Sequence, residues 1–180
     1  MQTGHTKIKM FGMDVDGVLT DGGIYYGDGG LEVKGFHAHD GMGLALLGRA
    51  GVTTFIITGR SSEAVLRRGR ELGVGEIHQG VGDKLACLKA LLPKYGVSLE
   101  EVAFVGDDFP DLEVLLHIGF PISVANARDE VKRVVRMVTA ARGGHGAVRE
   151  AGEWALRHNG QWEGLVAAYG LPDKAGDGRG

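Results

Sequence analysis

The sequence predicts an α/β fold in three layers, a central parallel sheet with helices on both faces. Three observations predict it. Short apolar segments alternate with amphipathic helical ones, the apolar segments are hydrophobic throughout, and glycines separate the two kinds. Strands apolar on both faces are buried on both faces, as in a sheet whose parallel strands are joined by helical crossovers. A chain of 180 residues suits one domain. We place it at 1–170, with 171–180 (LPDKAGDGRG) as a disordered polar tail.

The elements follow in order. Residues 8–15 (IKMFGMDV) form a buried strand that runs into the turn DGVLTDGG. Residues 23–36 hold two β-favouring stretches, IYY and LEV, joined by GDGG, a hairpin signal. A helical pattern spans 40–50 and closes at Gly51, and TTFIIT at 53–58 is a second buried strand. A helix capped by Ser61 or Ser62 reaches Leu72, followed by a weak strand at 76–79. The helix at 83–95 places Leu85, Leu88, Leu91 and Leu92 on one face. VAFV at 102–105 is a strand, Pro110 suits the first turn of a helix at 111–118, and 121–124 is a short strand. A helix at 127–135, a last strand at 137–139 and an amphipathic helix at 147–158 complete the pattern.

Composition excludes several classes. Apolar residues make up 43% and charged residues 24%, too hydrophobic for intrinsic disorder. The net charge of −3 argues against nucleic acid or an anionic membrane surface as the main partner. No apolar run approaches the roughly 18 residues of a membrane-spanning helix. The N-terminal MQTGHTKIKMFG has no secretory apolar region, and a single cysteine, Cys87, forms no internal bridge. The expected location is the cytoplasm. Glycine supplies 32 residues, well above the usual share of about 7%, and we assign most of them to turns and helix ends.

Parallel sheets bind ligands at the carboxyl ends of their strands. Polar residues stand at four such places: Asp14 and Asp16 in DVDG, Thr58 in ITGR, Lys84 in GDKL, and Asp107, Asp108 and Asp111 in GDDFPD. Taken singly, each has an ordinary reading as a turn residue, helix cap or solvated charge. Together they place carboxylates, an amine and a hydroxyl on one rim. Gathered carboxylates repel unless a cation lies between them, and hard oxygen ligands suit Mg2+. A metal, a lysine and a hydroxyl are what a transferring phosphoryl group requires.

The four motifs, in this order, resemble those of the haloacid dehalogenase superfamily of phosphotransferases. The resemblance implies a Rossmann-like phosphatase fold in which Asp14 is the nucleophile and forms an aspartyl-phosphate. Asp16 would serve as acid and then base. Thr58, Gly59 and Lys84 would hold the phosphate. Asp14, the Asp16 carbonyl and Asp107 would bind Mg2+, with Asp108 and Asp111 behind them. The stretches between Asp16 and Thr58, and between Thr58 and Lys84, are too short for the cap domain that many members insert. A capless site is open to water, so we expect a homo-oligomer whose neighbours close it.

DVDGVLTDG, the hairpin flap, HDGMG, TGRSS, HQGVGDK, GDDFPD and GGHGAVRE resemble in particular the 3-deoxy-D-manno-octulosonate 8-phosphate phosphatases, capless tetramers. That resemblance implies a small-molecule sugar phosphate as substrate. It also implies a C-terminal lid within 143–159 that includes Gly143, Gly144, Gly146 and Arg149. The plain alternatives are a flexible connection for GGHG and a surface charge for Arg149. The group commonly carries arginine where this chain has His39, so His39 and Arg60 are the candidate specificity residues, with surface roles as the alternative. A nonulosonate 9-phosphate phosphatase is the neighbouring reading; Arg60 favours the octulosonate group. A non-catalytic oligomerisation module, related to one found in sialic-acid activating enzymes, would not need every catalytic position filled. Receiver domains of two-component signalling carry similar residues in a different order.

Overall fold

The computed structural model describes residues 6–170; the tail expected at 171–180 lies outside them. Six strands form one parallel sheet: β1 (Met10–Met13), β4 (Thr53–Ile57), β5 (Glu76–His78), β6 (Val102–Gly106), β7 (Phe120–Ser123) and β8 (Met137–Val138). Their order across the sheet is β5-β4-β1-β6-β7-β8, so β1 lies between β4 and β6. Met10 to Met13 pair with Thr53 to Ile56 on one side and Val102 to Val105 on the other. The first strand in sequence is thus central, and the crevice where strand order reverses opens at its carboxyl end.

The central strands are fully buried, as their uninterrupted apolar character requires. Phe11, Phe55 and Phe104 are the largest of the fully buried side chains. The Phe55 and Phe104 rings lie 6.0 Å apart and cover Gly12, leaving no room there for a Cβ. An aromatic pair of this kind adds about 0.5–1.5 kcal/mol beyond its buried area.

The principal helices are α1 (Ala38–Arg49), α2 (Glu63–Glu71), α3 (Lys84–Tyr95), α4 (Leu112–His117) and α6 (Ala147–His158). Asp83 caps α3 by accepting from the Ala86 amide, and Gly96 closes that helix in the left-handed conformation. Ser62 precedes α2, but its side chain makes no capping bond. Helices α1 and α6 approach closely because Gly43 faces the Arg149 backbone and Gly152 faces Leu47.

Three details differ from expectation. The helix expected at 127–135 is only α5 (Asp129–Lys132), because the chain then turns so that the Arg136 amide donates to the Pro121 carbonyl beside β7. The hairpin at 23–36 pairs only β2 (Tyr25–Tyr26) with β3 (Glu32–Val33). Its turn at Asp28–Gly30 places Gly29 and Gly30 at positive φ. The sequence reading also missed α7 (Trp162–Ala167), whose Trp162 ring stacks under Arg157 at 4.6 Å. Among the described residues, no helix is long and apolar enough to cross a membrane.

Candidate active site

The ladder on β1 continues through the Asp14 amide, which donates to the Val105 carbonyl at 3.0 Å. The chain then folds tightly: the Val15 carbonyl accepts from the amides of Val18 and Thr20. Gly17, at φ +90°, lies so close to the Asp107 carboxylate that a Cβ there would overlap it. This turn brings Asp14 and Asp16 to the end of β6. From the next strand, the Thr58 amide donates to the His78 carbonyl at 3.0 Å, fixing Thr58 at the end of β4.

Lys84 is the link. Its buried Nζ lies 2.8 Å from Asp14 Oδ2 and 2.7 Å from Asp111 Oδ1. Burial alone would lower the pKa of this ammonium, but the charges of Asp111 and Asp14 outweigh it and hold the pKa above the ordinary lysine value. Asp111 is completely buried, and its Oδ2 accepts from the Asp107 amide at 2.9 Å. Asp108 Oδ1 accepts from the Phe109 amide, which starts the turn ahead of α4.

These elements line a cleft of about 440 Å³ formed by Asp14, Asp16, Thr58, Gly59, Arg60, Val81, Gly82, Lys84, Asp107, Asp108 and Pro110. The arrangement suits a divalent cation. Asp14, Asp107 and Asp111 each offer a carboxylate oxygen, and these lie within 4.8 Å of one another. Both Asp111 oxygens already accept hydrogen bonds, whereas Asp107 accepts none with its side chain among the described residues. Burial, followed by the charges of Asp111, Asp14 and Asp108, raises the Asp107 pKa to about 7. A cation between Asp14 and Asp107 would reverse that repulsion.

Asp14, Asp16, Thr58, Gly59, Arg60, Lys84, Asp107 and Asp108 all reach the cleft, with Asp111 directly behind it. The remaining expected residues are not brought to its lining within one chain. His39 lies in the first turn of α1, edge-on to the His37 ring at 4.9 Å. Arg149 is on α6, paired to Glu153, and its amide donates to Asp40 Oδ1 at 2.8 Å. Gly143 and Gly144 pack against the backbone of Gly17, Thr20 and Asp21, on the loop that carries Asp16. The GGHG segment therefore braces this loop in its own chain. Gly146 begins α6, and its amide points to Asp40.

Two contributors escaped the sequence reading. Asp40, in the first turn of α1, is a buried carboxylate facing the start of α6, and burial raises its pKa despite the amides of Arg149 and Gly146. Lys34 is buried at the end of the hairpin and ion-paired to Asp16. Along LEVK the apolar Leu31 and Val33 face out and Lys34 faces in, the reverse of what their polarity implies, so no local signal marked it.

Comparison with known proteins gives consistent results. A family model described as haloacid dehalogenase-like hydrolase matches residues 72–150. The chain is 37% identical over 160 residues to the 3-deoxy-D-manno-octulosonate 8-phosphate phosphatase KdsC of Yersinia pestis, covering 89% of this chain and 86% of that protein. The Moraxella catarrhalis 3-deoxy-D-manno-octulosonate 8-phosphate phosphatase, solved with a magnesium ion, a phosphate ion and KDO, superposes with a TM-score of 0.89. It is 44% identical, with 92% and 95% of the two chains covered. The cobalt-bound Haemophilus influenzae phosphatase gives a TM-score of 0.86 at 35% identity, covering 92% and 96%.

Proposed function

Given that the chain belongs to the 3-deoxy-D-manno-octulosonate 8-phosphate phosphatases of the haloacid dehalogenase-like hydrolases, we propose that it hydrolyses that sugar-acid phosphate to KDO and phosphate through an aspartyl-phosphate on Asp14. The observation that carries this reading is the meeting of Asp14, Thr58, Lys84 and Asp107 in one cleft at the carboxyl ends of β1, β4 and β6.

In this reading an Asp14 oxygen attacks phosphorus, and the bond to the ester oxygen breaks. Asp16 gives its proton to the departing alkoxide. Asp16 then takes a proton from water as the water oxygen attacks phosphorus, releasing phosphate and restoring the Asp14 carboxylate. Lys84 and Thr58 hold the phosphoryl oxygens, and Lys84 also keeps Asp14 in place through the 2.8 Å pair. Mg2+ would be held by Asp14, Asp107 and the Asp16 carbonyl; when bound, it supplies positive charge to the phosphoryl oxygens. Asp111 anchors Lys84 and the Asp107 amide. Arg60, on the lining of the cleft, would meet the sugar acid.

The chain acts as one phosphatase domain over 1–170, with the hairpin as a flap and the segment from Gly143 as a C-terminal lid, His39 and Arg149 contributing from a neighbouring copy. The hairpin leaves Tyr25, Tyr26, Leu31 and Val33 at least half exposed, an apolar patch that suits burial in a homotetramer. The test is phosphate release from 3-deoxy-D-manno-octulosonate 8-phosphate with magnesium, beside a nonulosonate 9-phosphate. Wild type should prefer the former, and Asp14→Asn should be inactive on both while remaining folded. Substantial activity in Asp14→Asn overturns covalent catalysis, and preference for the nonulosonate ester overturns the substrate assignment.

A further inference from the structure

The hairpin is mostly exposed, yet it ends in a lysine almost wholly withdrawn from water. The Lys34 side chain is 1% exposed, whereas Val33 beside it is 50% exposed. A buried ammonium is costly unless it is paired. Lys34 Nζ is paired to Asp16 Oδ1 and lies 3.4 Å from Glu32 Oε1, a buried oxygen that accepts no hydrogen bond among the described residues. The second Asp16 oxygen, Oδ2, is 3.6 Å from Arg60 Nε, and the Arg60 guanidinium donates to Tyr26 Oη at 2.7 Å. Two hairpin residues thus converge on one carboxylate, Lys34 directly and Tyr26 through Arg60. Of its two oxygens, Oδ1 is taken up by the buried cation.

We propose that Lys34 is a positioning residue for proton transfer: by occupying Oδ1 of Asp16 it fixes the carboxyl group and presents Oδ2 to the reacting ester. The inference rests on the reading of Asp16 as acid and base. In the first half-reaction the bond from Asp14 to phosphorus forms, the ester bond breaks, and the proton on Asp16 Oδ2 passes to the leaving oxygen. An alkoxide needs that proton, whereas p-nitrophenolate is stable without it. In the second half-reaction Oδ2 takes a proton from water; with the aryl ester, whose phenolate leaves without a proton, Asp16 first releases its own to solvent. Loss of the positioning cation should therefore slow both esters, and the alkyl ester much more. A lysine that merely stapled the hairpin would affect both alike.

The experiment compares kcat and KM of wild type and Lys34→Met on the octulosonate 8-phosphate and on p-nitrophenyl phosphate, with magnesium. The expected result is a fall in kcat of about 100-fold on the sugar phosphate, within the range ascribed to positioned general acids. The fall on the aryl ester should be at least tenfold smaller, with KM little changed on both. Equal falls, or none, overturn the proposal. Should Lys34→Met fail to fold, Lys34→Gln is judged by the same ratio. In an Asp16→Asn background the lysine change should cost nothing further on the sugar phosphate, and a multiplied loss would show that Lys34 acts elsewhere. A wild type that hydrolyses neither ester defeats the phosphatase reading itself, whereas an active wild type with an unmoved ratio defeats only the role of Lys34.

Discussion

Lys84 Nζ bridges Asp14 Oδ2 and Asp111 Oδ1 at 2.8 and 2.7 Å, so one buried ammonium joins the end of β1 to the start of α4. Removing it leaves the fully buried Asp111 carboxylate without its cation. Breaking such a buried pair costs about 3–5 kcal/mol. Lys84→Met should lower the melting temperature and reduce kcat by at least about 100-fold. Adding Asp111→Asn should restore part of the stability and none of the activity, measured by thermal melts and phosphate release.

Gly17 and Gly22 separate strain from crowding. Both lie at positive φ, +90° and +84°, but a Cβ on Gly17 would overlap the Asp107 carboxylate, whereas one on Gly22 would meet Gly17 at an ordinary 3.5 Å. Both Gly→Ala variants should lose stability. Only Gly17→Ala should also weaken magnesium binding, by about tenfold or more, as expected when a carboxylate ligand is displaced. Magnesium titration of activity distinguishes them.

Acid stability should depend on Glu76. Its hydrogen bonds from Lys94 and Tyr95, the latter at 2.7 Å, hold its pKa below the ordinary carboxylate value. A group whose folded pKa is lowered contributes stability above its unfolded pKa and loses it as pH falls through the folded one. Wild type should therefore melt higher than Glu76→Gln at pH 7. That margin should shrink as pH drops below about 4.5, and a margin that grows on acidification would contradict the assignment.

The hairpin patch predicts the oligomer. Ile24 and Leu31 are exposed, at 43% and 59%, and neither touches the cleft. Ile24→Asp together with Leu31→Asp should convert a four-chain particle into single chains, as measured by light scattering. Activity on the sugar phosphate should fall with it. A wild type that is already monomeric refutes assembly through this surface.

The legible and illegible parts of the sequence divide by the range of the interactions. Strands and helices are specified by neighbours, so the helix at 147–158 and the strand at 53–57 could be read within a residue or so. The cleft followed from the carboxyl-end rule, because Asp14, Thr58, Lys84 and Asp107 each mark the end or beginning of a legible element. Strand order depends on pairing between distant segments, and nothing local reveals that β1 is central. Lys34 and Asp40 were overlooked because a charged residue in a polar context looks solvated until its partner, Asp16 or the start of α6, is brought to it by the fold. The packing of Gly143 and Gly144 on the loop that carries Asp16 is likewise a contact between distant segments, which no local pattern reveals.

That bracing has an evolutionary consequence. At Gly143 and Gly144 the contact with the loop of Gly17 to Asp21 is main chain against main chain. Neither side owns an atom that it could trim to admit a larger neighbour. Ordinary compensating exchange, in which a smaller residue opposite makes room for a bigger one, is closed to both segments. While the loop keeps its path, this seam admits nothing larger than glycine at either position.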